Sequence, residues 1–269
     1  MLDHAMRGFT MRCLGFLLLA MASIAAVPTA MAAPILTVTD VNGTIGQVDV
    51  ATGDVTVIGN AGVVLTDIAY DPSGNLFGIS FTTLYSLDTV TGAASLIGET
   101  GALSMNSLVF GPDGTLYTAG FGELSTLDIA TGAATSVGLI GFFSSGDLAF
   151  VDGKLLMTAL GGGEDDLVEL DTTTGAGTLV GEIGVGGMFG LASPDGSSLF
   201  GTSGTSVLSI NPATGTGLEL VDYGDQGLGT ALGVAFSSEA QAPSVIPVPP
   251  ALPMLLVAIG AIAIMRRRH

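Results

Sequence analysis

The stretch Asp88-Thr89-Val90-Thr91-Gly92 decides the fold, because it occurs five times in the chain with small changes. The glycines that end the copies are 39, 40, 43 and 40 residues apart. Asp or Asn at the first position caps backbone N–H groups and Gly at the last position accepts a positive φ, so each copy predicts a hairpin turn. The copies are Asp49–Gly53, Asp88–Gly92, Asp128–Gly132, Asp171–Gly175 and Asn211–Gly215.

A second hairpin recurs between these turns. In one repeat its first strand reads Asp67–Tyr70, followed by the turn Asp71–Gly74. Each repeat of about 40 residues therefore holds four short strands, the size of one propeller blade. The first repeat lacks a first strand, and the last one, at Gly233–Phe236, has only that strand. We expect an all-β, five-bladed propeller closed by a composite blade of three N-terminal strands and one C-terminal strand; an open solenoid is the alternative.

Aromatic residues share one position in these repeats. They end the first strand of four of the five repeats as Tyr70, Phe110, Phe150 and Phe236. A position that is kept in repeat after repeat predicts packing between blades, with ligand stacking as the alternative.

The N-terminus has the organisation of a Sec signal peptide. Arg7 and Arg12 precede the apolar run Leu14–Ala26, and small residues follow as a cleavage site. This site consists of Ala30, Ala32 and Ala33, with cleavage after Ala32. A buried helix or a retained anchor is the alternative. The prediction implies the Sec translocon and signal peptidase as partners.

The C-terminus has three parts in sequence. A proline-rich segment at 241–250 precedes an apolar helix at 251–265 of marginal membrane-spanning length and a basic tail at 266–269. By the positive-inside rule the arginines stay in the cytoplasm and the domain at 33–240 lies outside. The residues that form the pattern are Val245, Pro247, Val248, Pro249, Pro250, Leu252, Pro253, Arg266, Arg267 and Arg268.

This pattern resembles the PEP-CTERM class of sorting signals, in its VPLPA-type variant, with Ile246 inserted. The resemblance covers about the last 25 residues and implies an exosortase as partner, with transient anchoring in the inner membrane and delivery to the cell surface or extracellular matrix. A plain tail anchor is the alternative. The repeats resemble, more loosely, secreted propellers of the NHL and YVTN kind.

Charge is distributed very unevenly along the chain. The net charge is −18, yet the part between Asp40 and Glu239 holds 23 acidic residues against the single Lys154. Such a domain repels nucleic acid and anionic lipid, which require Lys and Arg. It is compatible with cations or neutral glycans, and an exopolysaccharide or a surface protein is the expected partner.

The domain lacks most catalytic side chains. Residues 33–244 contain no His, Cys, Arg or Trp, which excludes Ser-His-Asp and Cys-His catalysis and histidine zinc sites. We therefore expect a non-catalytic binding or structural protein and no enzyme. The alternatives are a secreted hydrolase that depends on carboxylates and Ca²⁺, and a tail-anchored periplasmic assembly protein.

Carboxylates are the remaining candidates for chemistry, and no cofactor is expected beyond a weak case for Ca²⁺. Asp67 and Asp147 precede innermost strands and are candidate metal ligands at the mouth of the central channel. Glu164, Asp165 and Asp166 follow three glycines in an insertion that lengthens one repeat. They are candidate ligands as well, although a solvated mobile loop explains them more simply.

Overall fold

The computed structural model of the protein describes residues 33–239. These residues form twenty β-strands in five antiparallel sheets of four strands each. Within residues 33–239 no helix is long and apolar enough to cross a membrane. The predicted signal peptide, proline-rich segment, apolar helix and basic tail lie outside the described residues.

The five sheets are the blades of a propeller. Blade 1 contains β1 (Ile35–Asp40), β2 (Thr44–Asp49), β3 (Val55–Asn60) and β20 (Ala231–Phe236). Blade 2 contains β4 (Asp67–Tyr70), β5 (Leu76–Ile79), β6 (Thr83–Leu87) and β7 (Ala94–Glu99). Blade 3 contains β8 (Val109–Phe110), β9 (Leu116–Gly120), β10 (Glu123–Leu127) and β11 (Ala134–Leu139). Blade 4 contains β12 (Ser144–Val151), β13 (Lys154–Ala159), β14 (Asp166–Leu170) and β15 (Gly177–Glu182). Blade 5 contains β16 (Met188–Ala192), β17 (Leu199–Ser203), β18 (Ser206–Ile210) and β19 (Gly217–Asp222).

The composite blade is confirmed. Blade 1 has the strand order β20-β1-β2-β3, so the last described strand pairs with the first. Phe236 lies opposite Leu36 and Val234 opposite Val38 in this antiparallel pair. The pairing closes the ring and leaves no unpaired sheet edge at the junction of the chain ends.

The core consists of five apolar layers, one between each pair of neighbouring blades. The layer between blades 2 and 3, for example, joins Ile79 and Leu84 to Leu108 and Leu116. The corresponding layer between blades 1 and 5 joins Leu36 to Val207. Buried apolar area contributes roughly 25 cal/mol per Å², so stability resides between blades rather than within them.

The repeated aromatic position packs between blades, as predicted. Phe110 contacts Phe77 of the preceding blade with ring centroids 5.4 Å apart, and Phe236 contacts Phe200 in the same way at 5.5 Å. The Tyr70 hydroxyl lies 3.2 Å from Thr37 Oγ1 of blade 1. These side chains are held within the layers and do not present a stacking surface.

The repeated turns have the predicted geometry. Asp88 Oδ1 accepts hydrogen bonds from Val90 N and Thr91 N, and Gly92 has a φ of 74°. Four of the five turns also pack against a glycine in the outermost strand of the preceding blade, whereas the turn at Gly53 meets Val221 and Asp222. A Cβ atom on Gly98 would lie 2.0 Å from the Thr131 carbonyl oxygen, so this contact requires glycine.

The outermost strands continue one another around the ring. Ala134 N donates a hydrogen bond to Thr100 O of the preceding blade, and Gly177 N donates to Ile140 O. At the closing junction the Gln226 side chain takes this role, with Oε1 accepting from Val55 N and Nε2 donating to Gly53 O. The repeat is thus completed by a side chain where the backbone pattern is interrupted.

Candidate functional site

The connections between strands lie at two opposite ends of the propeller. Turns from second to third strand and loops from an outermost strand to the next innermost strand lie at one end, which we call the loop face. Backbone hydrogen bonds join the two kinds of loop there, for example Thr100 N to Thr82 O and Ile140 N to Gly122 O. The first and last described residues, Ala33 and Glu239, lie at the opposite end, which we call the turn end.

Large apolar side chains are exposed along the loop face. Phe121 is 78% exposed and Leu103 is 74% exposed, and the Phe121 and Phe143 rings meet edge to face with centroids 6.4 Å apart. We define the apolar arc as Val41, Val64, Phe81, Leu103, Phe121, Leu139, Phe143 and Leu160. The arc covers blades 1 to 4, whereas the loops of blade 5 add none of the exposed large apolar side chains found in residues 33–239.

Phe121 is held in an unfavourable backbone conformation. It has a φ of 51° and is followed by Gly122 with a φ of 78°, in a two-residue turn between β9 and β10. Such turns favour Asn-Gly, because a bulky side chain at positive φ costs about 1 kcal/mol. A strained aromatic that points into solvent indicates selection for a surface contact.

Sequence reasoning did not identify the arc. The available signal was an apolar residue among small and polar ones within a turn, as in Ser80-Phe81-Thr82 and Gly120-Phe121-Gly122. These apolar residues stand at different positions in different repeats, so a comparison of equivalent repeat positions does not detect them.

Asp67 and Asp147 meet at the propeller axis. They occupy the same position in the innermost strands of blades 2 and 4, and both are fully buried. Asp67 accepts hydrogen bonds from Ile68 N and from Leu108 N of blade 3. Asp147 accepts from Leu148 N at 2.6 Å and from Leu191 N of blade 5 at 2.7 Å.

The two carboxyl groups also interact with each other, because they lie side by side in the buried centre. Burial raises the pKa of Asp147 to about 8, and burial together with the neighbouring Asp147 raises the pKa of Asp67 well above its ordinary value. The pair thus fills the axis and satisfies inward-facing backbone N–H groups. It does not face an open mouth, which the sequence had suggested, and its oxygens point at hydrogen-bond donors rather than toward solvent.

Space at the axis is limited by the other blades. The equivalent positions in blades 5 and 1 are Gly190 and Gly233, and a Cβ on Gly233 would lie 2.3 Å from Asp67 Oδ1. The centre of the ring therefore has room for two carboxyl groups, although five blades meet there.

The insertion at 161–166 only partly behaves as a solvated loop. Glu164 is exposed and Asp166 is half-buried, but Asp165 is only 5% exposed. Asp165 Oδ2 accepts a hydrogen bond from Met188 N of blade 5 at 2.6 Å, and burial raises its pKa. The expectation of a wholly solvated mobile loop is wrong for Asp165, because this residue anchors the loop to the next blade.

The candidate metal ligands are not brought into one cluster. Within residues 33–239, no group of three or more His, Cys, Asp or Glu side chains is arranged to hold a metal ion. Asp67 and Asp147 lie together on the axis, whereas Glu164, Asp165 and Asp166 lie on the loop face.

The fold and its two faces define a β-propeller. No family model matches the chain, and no curated protein sequence matches it. Solved structures do. A structure from work on the de novo evolutionary emergence of a symmetrical protein is 18% identical, with a TM-score of 0.50, over 77% of this chain and 95% of that one.

Two further similar structures carry the name of an enzyme. A gluconolactonase from Xanthomonas campestris is 16% identical with a TM-score of 0.48, over 75% of this chain and 79% of that one. A second, proposed gluconolactonase has the same identity and TM-score, over 75% and 81%. At these identities the likeness shows the fold alone.

The prediction that this protein is not an enzyme is nevertheless contradicted by these two structures. It rested on the lack of His, Cys, Arg and Trp in the domain. Proteins named gluconolactonases have the same kind of propeller, so the architecture itself gives no ground for excluding hydrolysis.

Proposed function

We propose that the protein is an exported propeller of the cell envelope that binds a surface component through its loop face. The observation that carries this proposal is the apolar arc. Monomeric soluble proteins rarely keep large apolar side chains together in solvent unless they form a binding surface. The strained conformation of Phe121 supports the same reading, since Asn at this position would relieve the strain.

The position of the chain ends supports envelope attachment. Ala33 and Glu239 both lie at the turn end, so the chain leaves the domain toward its C-terminal tail at the end opposite the loop face. In this proposal the Sec translocon and signal peptidase act on the N-terminus, and an exosortase recognises the PEP-CTERM-type tail. The partner is a polysaccharide or a protein of the cell surface or matrix.

The intact mass of the protein from fractionated native cells tests export and sorting. We expect a species that begins at Ala33 and ends within 247–250, outside the inner membrane. A species in the inner membrane that still carries Arg266–His269 would contradict sorting by an exosortase and leave a membrane-anchored propeller.

A second candidate function is a hydrolase that acts at the same loop face. The observation that favours it is the acidic turn Glu164–Asp166, which adjoins Leu160 of the apolar arc. Burial raises the pKa of Asp165, and a carboxyl group with a raised pKa is suited to general acid catalysis. The gluconolactonase names of similar propellers make sugar lactones the first substrates to assay.

Hydrolysis is tested with the purified full chain and a panel of lactones, with added Ca²⁺ or with a chelator. If this function is correct, turnover falls by about 100-fold or more in Asp165→Asn while the protein stays folded. Asp113→Asn, which changes an exposed carboxylate at the turn end, is the matched control and should retain activity. The absence of turnover for every lactone, with and without Ca²⁺, would rule out this candidate.

A further inference from the structure

The charge of the loop face restricts what the apolar arc can bind. Seven acidic side chains on this face, at strand ends and in loops, are exposed or half-buried, and they are Glu99, Glu123, Glu164, Asp166, Glu182, Asp222 and Asp225. The single basic side chain within residues 33–239 is Lys154, which starts β13 at the turn end and pairs with Glu169 at 2.7 Å. An anionic lipid, nucleic acid or acidic polysaccharide would be repelled, whereas a cation is attracted.

Apolar and acidic groups alternate along the arc rather than forming separate regions. Glu99 ends β7 directly before the loop that carries Leu103, and Glu123 follows Phe121 and Gly122. Leu139 lies opposite Glu123 in the β10–β11 pair. A ligand that covers Phe121 and Leu139 therefore also contacts a carboxylate. One partner must thus provide both apolar and basic groups.

A hydrogen bond between blades 3 and 4 joins two of the loops that carry the apolar arc. Asn106 Nδ2 donates a hydrogen bond to Ser144 O at 3.2 Å, which ties the loop carrying Leu103 to the loop carrying Phe143. Asn106 Oδ1 and Ser144 Oγ are buried without a hydrogen-bond partner.

Building on the proposed binding function, we infer that the loop face binds an apolar polypeptide segment that carries arginine or lysine side chains. The arc extends over four of the five blades, which suits an extended segment better than a small ligand. Phe, Leu and Val provide its contact area. A neutral polysaccharide would instead require a surface rich in side-chain hydrogen-bond donors.

In this complex the side chains of the segment divide between two roles. Its apolar side chains cover Phe121, Leu139 and Phe143, where desolvated aromatic contacts dominate affinity. Its basic side chains pair with the carboxylates of Glu99 and Glu123. Because the carboxylates lie near the surface, they contribute mainly to association rate and selectivity, and salt weakens them.

The test uses the full chain in nanodiscs of neutral lipid, with binding to empty nanodiscs subtracted. Three synthetic peptides of equal length serve as probes: leucine alternating with arginine, leucine alternating with glutamate, and serine alternating with arginine. We expect the leucine–arginine peptide to bind about tenfold or more tightly than either of the others. Raising NaCl from about 0.05 M to about 0.5 M should weaken it about threefold or more.

Matched variants locate the bound peptide. Phe121→Asn should weaken binding of the leucine–arginine peptide about tenfold or more. Val90→Asn is the control, because Val90 is 80% exposed and Phe121 78%, yet Val90 lies in a turn at the turn end. Glu99→Gln should weaken binding by about twofold to fivefold at low salt and have no effect at high salt.

Three outcomes would overturn the inference. They are equal binding of the arginine and glutamate peptides, equal loss in Phe121→Asn and Val90→Asn, and binding of a neutral polysaccharide at Phe121 with no binding of any peptide. The last of these would leave the proposed binding function intact, because the loop face would still be the working surface. Loss of the proposed function would appear instead as no ligand of any kind at Phe121.

Discussion

The two ends of the propeller are built from the same repeats but differ in how regular they are. At the turn end, the turns from third to fourth strand are nearly identical in all five blades, and Asp88, Asp128 and Asp171 cap their turns with the same hydrogen bonds. At the loop face no two blades present the same residues, and large apolar side chains are exposed. The difference teaches that repetition marks what the ring requires, whereas divergence marks where function can be added.

The axis shows where this rule stops. The equivalent positions Asp67, Ser107, Asp147, Gly190 and Gly233 also differ between blades, yet all five are buried. Here the divergence solves a packing problem, because the centre has room for two carboxyl groups. Divergence therefore indicates function only where the side chain is exposed.

The largest effect is expected from the repeated contact between blades. Gly98→Ala places a Cβ atom against the Thr131 carbonyl oxygen and should lower the free energy of unfolding by about 3 kcal/mol. Gly162→Ala is the control, since no atom lies within 4 Å of a Cβ there, and should change it by less than about 0.5 kcal/mol. Urea unfolding of both variants measures the difference, and equal effects would show that the contact is not required.

The next largest effect concerns the axis and pH. In the folded state burial raises the pKa of Asp147 to about 8, whereas in the unfolded chain its pKa is near 3.8. Between these values unfolding releases protons, so the free energy of unfolding falls as pH rises from about 4 to about 8. Asp67, Asp165 and Glu239, whose pKa values are also raised chiefly by burial, act in the same direction.

Asp147→Asn removes one titrating group from the axis. The variant should be less stable than the wild type at pH 4, because the amide loses one acceptor for the backbone N–H groups. The difference should shrink by at least about 1.4 kcal/mol at pH 8, which corresponds to one pKa unit. Thermal or urea unfolding across this pH range measures it. Parallel pH profiles for both proteins would contradict the raised pKa of Asp147, while binding at the loop face should be unchanged.

A smaller effect separates stability from function at one residue. Phe121→Asn gives the turn the Asn-Gly sequence that it favours, so the free energy of unfolding should rise by about 1 kcal/mol. Ligand binding should fall at the same time. Val90→Asn should change neither quantity appreciably. If the Phe121→Asn variant has unchanged stability, the positive φ of Phe121 does not destabilise the folded protein.

Much of the fold is predictable from the sequence, because it is encoded by repetition. The five Asp-x-x-Thr-Gly turns predict the number of blades, and the missing first strand before Leu36 predicts the composite closing blade. Strand bounds are less regular: β8 is reduced to Val109–Phe110, while β12 begins at Ser144, ahead of the predicted Asp147. A bulge between Ser144 and Leu148 in the pairing with β13 accounts for the longer strand.

The candidate site is less predictable. Asp67 and Asp147 could be selected as unusual acids, but their burial and their interaction with each other depend on the ring, which brings together residues 80 positions apart. Phe121, Leu139 and Phe143 are ordinary apolar residues in sequence. Their exposure follows from the direction in which each loop leaves its blade, which local patterns do not encode.

The most direct test of the loop face as the working surface is site-specific photo-crosslinking in native cells. A benzophenone amino acid is placed at Phe121 in one strain and at Val90 in another, because both positions are about equally exposed. After irradiation, the mass of the protein is compared between the strains. We predict one discrete adduct at Phe121 and none at Val90. Equal crosslinking at both positions, or an adduct at Val90 alone, would contradict the assignment of the loop face as the binding surface.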